Sequence, residues 1–127
     1  MIPLVRVQLK DYQPRMIRCE STIMAGVVVP LLDMDGGTRI LLTKRTHTVK
    51  THKGEISFPG GHYEDGDPDL EHTALRETQE ELGIGPRQVK ILGRLDDIAT
   101  ITGFRIRPFV GAVPYPVELK PEPLEID

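Results

Sequence analysis

The chain has 127 residues, of which 39% are hydrophobic and 28% charged, with a formal net charge of −3. That length suits one domain with a modest core, and the apolar content excludes a disordered polymer. The charge balance gives no reason to expect nucleic acid or an anionic membrane as partner, and a single cysteine, Cys19, excludes an internal disulfide.

In chain order, the opening stretch MIPLVRVQLKDY meets charge at Arg6 and Lys10 and holds no signal-peptide core or membrane-length apolar run. A cytoplasmic location is therefore the expectation. Residues 1–20 carry weak pattern and are expected to lie as an arm against the domain, with Cys19 a small, inert thiol. The valine-rich run IMAGVVVPLLD, Ile23 to Asp33, reads as a buried strand. DMDGGTR then supplies a tight reversal and RILLTKR a return, so residues 23–45 read as a β-hairpin.

Residues 46–61, THTVKTHKGEISFPGG, begin as a basic loop and end in a short strand over Glu55–Phe58, which Pro59-Gly60-Gly61 interrupts as a turn. Asp67-Pro68 reads as a helix start, because an aspartate can cap orphan amides and proline is tolerated in the first turn. Asp69 and Glu71 suit the positive end of the helix dipole. The helix should run from about 68 to 82, with Gly83 just past its end. QVKILGRLDD and FRIRPFVGAV read as two further strands, and PYPVELKPEPLEID, with four prolines in 14 residues, as loop or tail. Hairpin, short strand, helix and two strands make an α+β domain: a mixed sheet packed by a helix on at least one side.

The helix carries the chemistry. At about 100° per residue, Glu77, Glu80 and Glu81 fall within roughly a third of its circumference, while Leu75, Thr78 and Leu82 form a more apolar sector. Like charges at these spacings repel. Arg76 can neutralise one carboxylate but not three, and a hard cation such as Mg²⁺ or Mn²⁺ would offset the rest. Gly60 and Gly61 just upstream allow close backbone approach, so a freed backbone carbonyl can join the carboxylates as an oxygen ligand. The plain alternative is a solvated acidic helix face beside an ordinary turn. His47, His52, His62 and His72 are irregularly spaced and read as ordinary polar groups, since Mg²⁺ prefers oxygen.

Gly61, Arg76, Glu77, Glu80, Glu81, Gly83 and Ile84 together resemble the signature box of the Nudix hydrolases, G-x5-E-x7-R-E-U-x-E-E-x-G-U, with U aliphatic. The 14 residues between Gly61 and Arg76 are one more than that pattern has, Asp67 is the nearest counterpart of its early glutamate, and Thr78 stands where an aliphatic residue is usual. Upstream, Leu41, Leu42, Thr43, Arg45, Gly54, Phe58, Pro59, Gly60 and Gly61 resemble the motif LLTxR(S/A)x3Rx3Gx3FPGG of the coenzyme A pyrophosphatase branch. Thr46 and Lys50 depart from it, and Lys50 keeps the charge but loses the bidentate fork of an arginine. TALRE (73–77) and TGFRIRPFVG (102–111) also look like that branch.

The resemblance implies a Nudix-like α/β/α sandwich and hydrolysis of coenzyme A at its pyrophosphate, yielding 4′-phosphopantetheine and adenosine 3′,5′-bisphosphate. It implies Glu80 and Glu81 as metal ligands with the Gly61 carbonyl, Glu77 as ligand, general base or both, and Arg76 as the residue that holds a glutamate in place. Lys44, Arg45, Lys50, His52 and Lys53 would face the anionic substrate, with Phe58 and Gly60 beside them. Another nucleoside diphosphate substrate such as ADP-ribose or NADH, or an idle binding module, are the alternatives. Members of the branch continue into a further strand and helix about where PEPLEID ends. That C-terminal helix is therefore expected to be missing from residues 1–127, or to be replaced by another subunit in a homodimer, and Glu125 stands near a position where some members place a further acid.

Overall fold

The computed structural model describes residues 23–34, 37–44, 56–100 and 103–114, together with the isolated positions 9, 116 and 119. Cys19, the 35–36 reversal, residues 45–55 and Glu125 lie outside them.

The near-continuous apolar run becomes β1, Ile23–Met34, the spine of a six-stranded mixed sheet. Such a run is what a strand buried on both faces requires. Its neighbour along the whole length is β8, Phe104–Val113, which pairs with it in parallel from Ile23↔Phe104 to Leu32↔Val113. Different partners serve the two halves of this central pair. Toward the C-terminal ends of β1 and β8, β2 (Gly37–Ile40) pairs antiparallel with β1, and β6 (Lys90–Arg94) with β8. At the other end β5 (Gly60–His62) lies on β1, and β7 (Ile98–Ala99) on β8.

The hairpin expectation holds only for its first part. The return strand pairs with β1 as far as Ile40, and then β3 (Thr43–Lys44) leaves to form a separate two-stranded ribbon with β4 (Ile56–Ser57). The reason is occupancy: the edge of β1 at Ala25–Val27 is taken by β5. Pro59-Gly60-Gly61 likewise is not simply a turn, because Gly60 and Gly61 are themselves strand residues. Gly60 has φ +158, and a β-carbon there would meet the Gly26 carbonyl oxygen and Val27 Cα, so only glycine lets the two backbones come this close.

The helix α1 (Leu70–Leu82) packs on one sheet face. Leu70, Ala74 and Leu82 join Val28, Leu32, Ile84, Val89, Phe109 and Val113 in the main core. Gly26 permits this docking, since a β-carbon there would meet the Leu70 carbonyl oxygen and the Ala74 backbone nitrogen and β-carbon. On the opposite face Val29, Leu31 and Val110 pack with Leu9, Leu92 and Leu95, which places Leu9 of the N-terminal arm against the sheet.

The helix starts two residues later than expected, and its cap is Asp69, not Asp67. Asp69 Oδ1 accepts from the His72 backbone N–H at 2.9 Å, a bond of the kind that stabilises a helix by about 1 kcal/mol. Gly83 ends it as anticipated, left-handed at φ 74 with its N–H on the Gln79 carbonyl.

Candidate active site

The site forms where β5 runs beneath α1. Gly61 pairs with Gly26 on β1 and turns its open Cα face toward the helix, where the Glu77 carboxylate rests. A β-carbon at position 61 would lie 2.6 Å from Glu77 Cδ. Beside it, the Gly60 backbone N–H donates to Glu81 Oε2 at 3.1 Å. The two glycines thus each meet one helix glutamate through backbone alone, which is a closer use of that pair than a turn would make.

The three glutamates are not equivalent. Side-chain exposure is 13% for Glu77 and 56% for Glu80, whereas residue Glu81 is 4% exposed and belongs to the buried side of the helix. Helical angle alone puts all three on one stripe. Docking of β5 against α1 then divides that stripe into an outer Glu80 and an inner Glu81, with Glu77 between strand and helix.

Arg76 connects the group and compensates more than the one acid that the sequence suggested. Its Nη1 donates to Glu77 Oε1 at 3.0 Å and to Glu80 Oε1 at 3.3 Å, and lies 3.7 Å from Glu64 Oε2. Its other edge grips Asp67: Nε donates to Oδ1 and Nη2 to Oδ2, each at 3.0 Å. Thr73 Oγ1 and the Glu64 backbone N–H also donate to Asp67 Oδ2, at 2.9 and 3.1 Å. The Arg76 guanidinium, ahead of those two neutral donors, holds the Asp67 carboxyl well below the usual carboxylate range. Asp67 and, in turn, Glu77 raise the pKa of Arg76, which stays charged.

Asp67 and Glu64 are the residues that helical periodicity missed. The available signal for Asp67 was its place as the acid nearest the early glutamate of the Nudix pattern. Its nine-residue separation from Arg76 has no helical meaning, so only the fold brings the two together.

The side-chain donors that the helix offers here, the carboxylates of Glu77, Glu80 and Glu81, are all oxygens. Their chemistry fits a hard divalent ion such as Mg²⁺ or Mn²⁺. Among the described residues no three acidic, histidine or cysteine side chains are arranged to hold a metal ion, and Arg76 Nη1 takes the position between Glu77 and Glu80.

Of the basic residues expected to meet substrate, Lys44 is described, exposed at the end of β3. Arg45, Lys50, His52 and Lys53 lie outside the described residues, as does His47. Phe58, 37% exposed, leads from the β3–β4 ribbon into Pro59 and Gly60. His62 is exposed, and His72 bonds Asp69 Oδ1 through Nδ1 at 2.7 Å, the ordinary polar role expected of it. TGFRIRPFVG contributes a second, separate ion-pair group: Arg107 forks onto the buried carboxylate of Asp97 at 2.9 and 3.2 Å, with Arg105 Nε 3.9 Å away.

The NUDIX domain model matches residues 22–122. Among curated proteins, the chain is 40% identical over 112 residues to an uncharacterized Nudix hydrolase NudL of Cronobacter sakazakii, covering 87% of this chain and 57% of that protein. It is 39% identical over 111 residues to the Klebsiella aerogenes protein of the same description, covering 87% and 91%. The chain thus spans little more than half of the first relative and nearly all of the second. Among solved structures, an Ap4A hydrolase from C. elegans superposes with a TM-score of 0.70 at 20% identity, over 81% of this chain and 74% of that one. A Nudix hydrolase from Alicyclobacillus acidocaldarius does so at 0.69 and 21%, over 87% and 78%. At such identities these two likenesses speak to the fold, a mixed sheet with α1 packed against it. No helix among the described residues is long and apolar enough to cross a membrane.

Proposed function

This chain belongs to the Nudix family, and from that premise we propose that it hydrolyses the pyrophosphate of coenzyme A or its derivatives, with Mg²⁺ or Mn²⁺. The observation that carries the reading is the seating of Glu77 on Gly61 and of Glu81 on the Gly60 N–H. Two helix carboxylates thus meet the glycine backbone of β5, and that closeness supports a site for a divalent ion beside a diphosphate.

A diphosphate carries negative charge that repels an oxygen nucleophile, so the site must supply positive charge and orient the attack. Glu77, Glu80, Glu81 and the Gly61 carbonyl would hold the ion, which when bound neutralises non-bridging oxygens and polarises water. The protein's own part is placement. Arg76 steers the Glu77 carboxylate through a charge-assisted bond, and Gly60 fixes that of Glu81. Glu77, between Gly61 and Arg76, would serve as ligand, general base or both. Coenzyme A as substrate is supported by the LLT…FPGG stretch of residues 41–61, whose lysines and arginine suit a molecule with a 3′-phosphate besides its diphosphate.

The deciding experiment is a hydrolysis screen with Mg²⁺ and Mn²⁺ on coenzyme A, ADP-ribose and NADH, with products separated and identified. Release of 4′-phosphopantetheine and adenosine 3′,5′-bisphosphate in preference to the other products is the expected result. Preferential cleavage of ADP-ribose would replace the substrate, and no metal-dependent cleavage of any of the three would remove the reading.

A further inference from the structure

Away from the helix glutamates, a groove of about 560 Å³ opens at the C-terminal ends of β1 and β8. Asp33, on its rim, lies along β1 from Gly26 by roughly 23 Å, at about 3.3 Å per residue. The sheet face differs as well. Strand alternation sets Asp33 with Val29 and Leu31, and Ala112 with Val110, opposite α1. Ala112 floors the groove, paired with Leu31 of β1 on one side and Lys90 of β6 on the other. Asp33 and Lys90 thus stand on either side of β8, about 10 Å apart at two strand spacings.

The fold does not use up the polar groups here. Arg87, from the 3₁₀ turn Pro86–Gln88, and Lys90 are exposed and make no ion pair among the described residues. Gln88 Oε1 accepts from the Gly85 N–H at 2.9 Å, which holds that side chain and leaves its amide NH₂ to donate. Asp33 Oδ1 takes the Thr38 hydroxyl at 3.0 Å, and its other oxygen remains an acceptor. Cations therefore gather at one end and a carboxylate at the other, with Ala112, Val113 and Pro114 as an apolar wall between them. Arg87 and Lys90 suit a phosphate monoester, Asp33 suits hydroxyl hydrogens, and the wall suits a ring. The volume falls within the range of small-molecule sites, about 300–1,000 Å³.

We infer that this groove is a second binding site, apart from the helix glutamates, for a nucleoside monophosphate. Its phosphate lies on Arg87 and Lys90, its ribose hydroxyls on Asp33, and its base against Ala112 and Pro114. Binding there needs no divalent ion and does not depend on the hydrolytic reading. The test titrates the whole chain with adenosine 5′-monophosphate in the presence of EDTA, followed by calorimetry and by amide ¹H–¹⁵N resonances. That nucleotide holds no diphosphate to be cleaved. Saturable shifts are expected at Arg87, Gln88, Lys90 and Ala112 and not at Gly60 and Gly61. Adenosine and inorganic phosphate should each bind about tenfold more weakly, since each lacks one half of the contacts.

Arg87→Gln and Lys90→Gln each remove a charge-assisted contact from an exposed position, so each should weaken the nucleotide about tenfold and leave the melting temperature unchanged. Asp33→Ala separates recognition from charge. Removing a negative charge about 10 Å away should tighten inorganic phosphate by about twofold, yet the nucleotide should weaken by about fivefold as its ribose loses an acceptor. Tightening of both ligands by Asp33→Ala, or inorganic phosphate bound as tightly as the nucleotide, would reduce the groove to a patch of surface cations and overturn the proposal. Shifts confined to Gly60 and Gly61 would overturn it too, by assigning the nucleotide to the helix glutamates, as would a titration without saturable binding.

Discussion

Glu77 rests on the bare Cα of Gly61: a β-carbon built there would sit 2.6 Å from Glu77 Cδ and 2.9 Å from Oε1. Gly61→Ala must therefore push that carboxylate aside. Gly61 is not among the glycines with positive φ, so alanine strains the backbone little and the damage stays local. Displacing a reacting group by about 1 Å can cost on the order of 10²-fold in rate, and that loss is expected in kcat with a melting temperature close to wild type. Turnover within twofold of wild type would show that the placement of Glu77 is irrelevant.

Asp97 is a stability element rather than part of this site. Its side chain is 1% exposed and takes both arms of the Arg107 fork, with Arg105 close by. Asp97→Asn keeps the shape but leaves buried cationic charge without its carboxylate. Breaking such a pair from one side costs about 3–5 kcal/mol, which should appear as a large drop in the urea midpoint. A change below about 1 kcal/mol, the level of an exposed pair, would mean that water reaches the two arginines.

Elements with a strong local signature were legible in the sequence, and those made by distant partners were not. The valines of β1 and the glycine after Leu82 announce a buried strand and a helix end by themselves. The parallel union of β1 with β8 joins residues 81 positions apart, and no local period encodes it. The three-residue 3₁₀ turn Pro86–Gln88 and the two-residue β7 are too short to show a period at all. Asp67 and Asp69 are equivalent as caps on paper. The long-range pull of Arg76 on Asp67 leaves the capping to Asp69. For Glu81 the helical angle was right and the environment was not, because burial depends on where β5 docks.

Two acid–base groups give stability an opposite dependence at the two ends of the pH scale. The Asp67 carboxyl is depressed below its ordinary value of 3.8, chiefly by Arg76. Its contribution is fully present above that value and is lost as pH falls through the folded pKa. His72 is raised above 6.5, chiefly by its bond to Asp69, so its contribution is present below 6.5 and is lost as pH rises through the folded value. Urea midpoints measured against pH should therefore fall below about pH 4 and ease downward above 6.5. Asp67→Asn should flatten the acid limb and His72→Gln the alkaline one. A His72→Gln curve parallel to wild type above pH 6.5 would show that the exposed pair contributes nothing.

Glu81→Gln separates fold from chemistry at one atom. Glutamine keeps a carbonyl oxygen able to accept the Gly60 N–H that Glu81 Oε2 now takes, so the approach of β5 to α1 survives. The added amide hydrogens enter a buried setting, at a cost of about 1–3 kcal/mol if they find no acceptor. What disappears is the negative charge that a divalent ion would require. An ion's electrostatic stabilisation of the transition state amounts to several kcal/mol, so turnover with saturating Mg²⁺ should drop on the order of 10²–10³-fold while the protein remains folded at the assay temperature. Partial recovery at higher Mn²⁺ would place the loss in ion binding. Full activity in the variant would make Glu81 a purely structural anchor for Gly60 and leave only Glu77 and Glu80 to carry the ion.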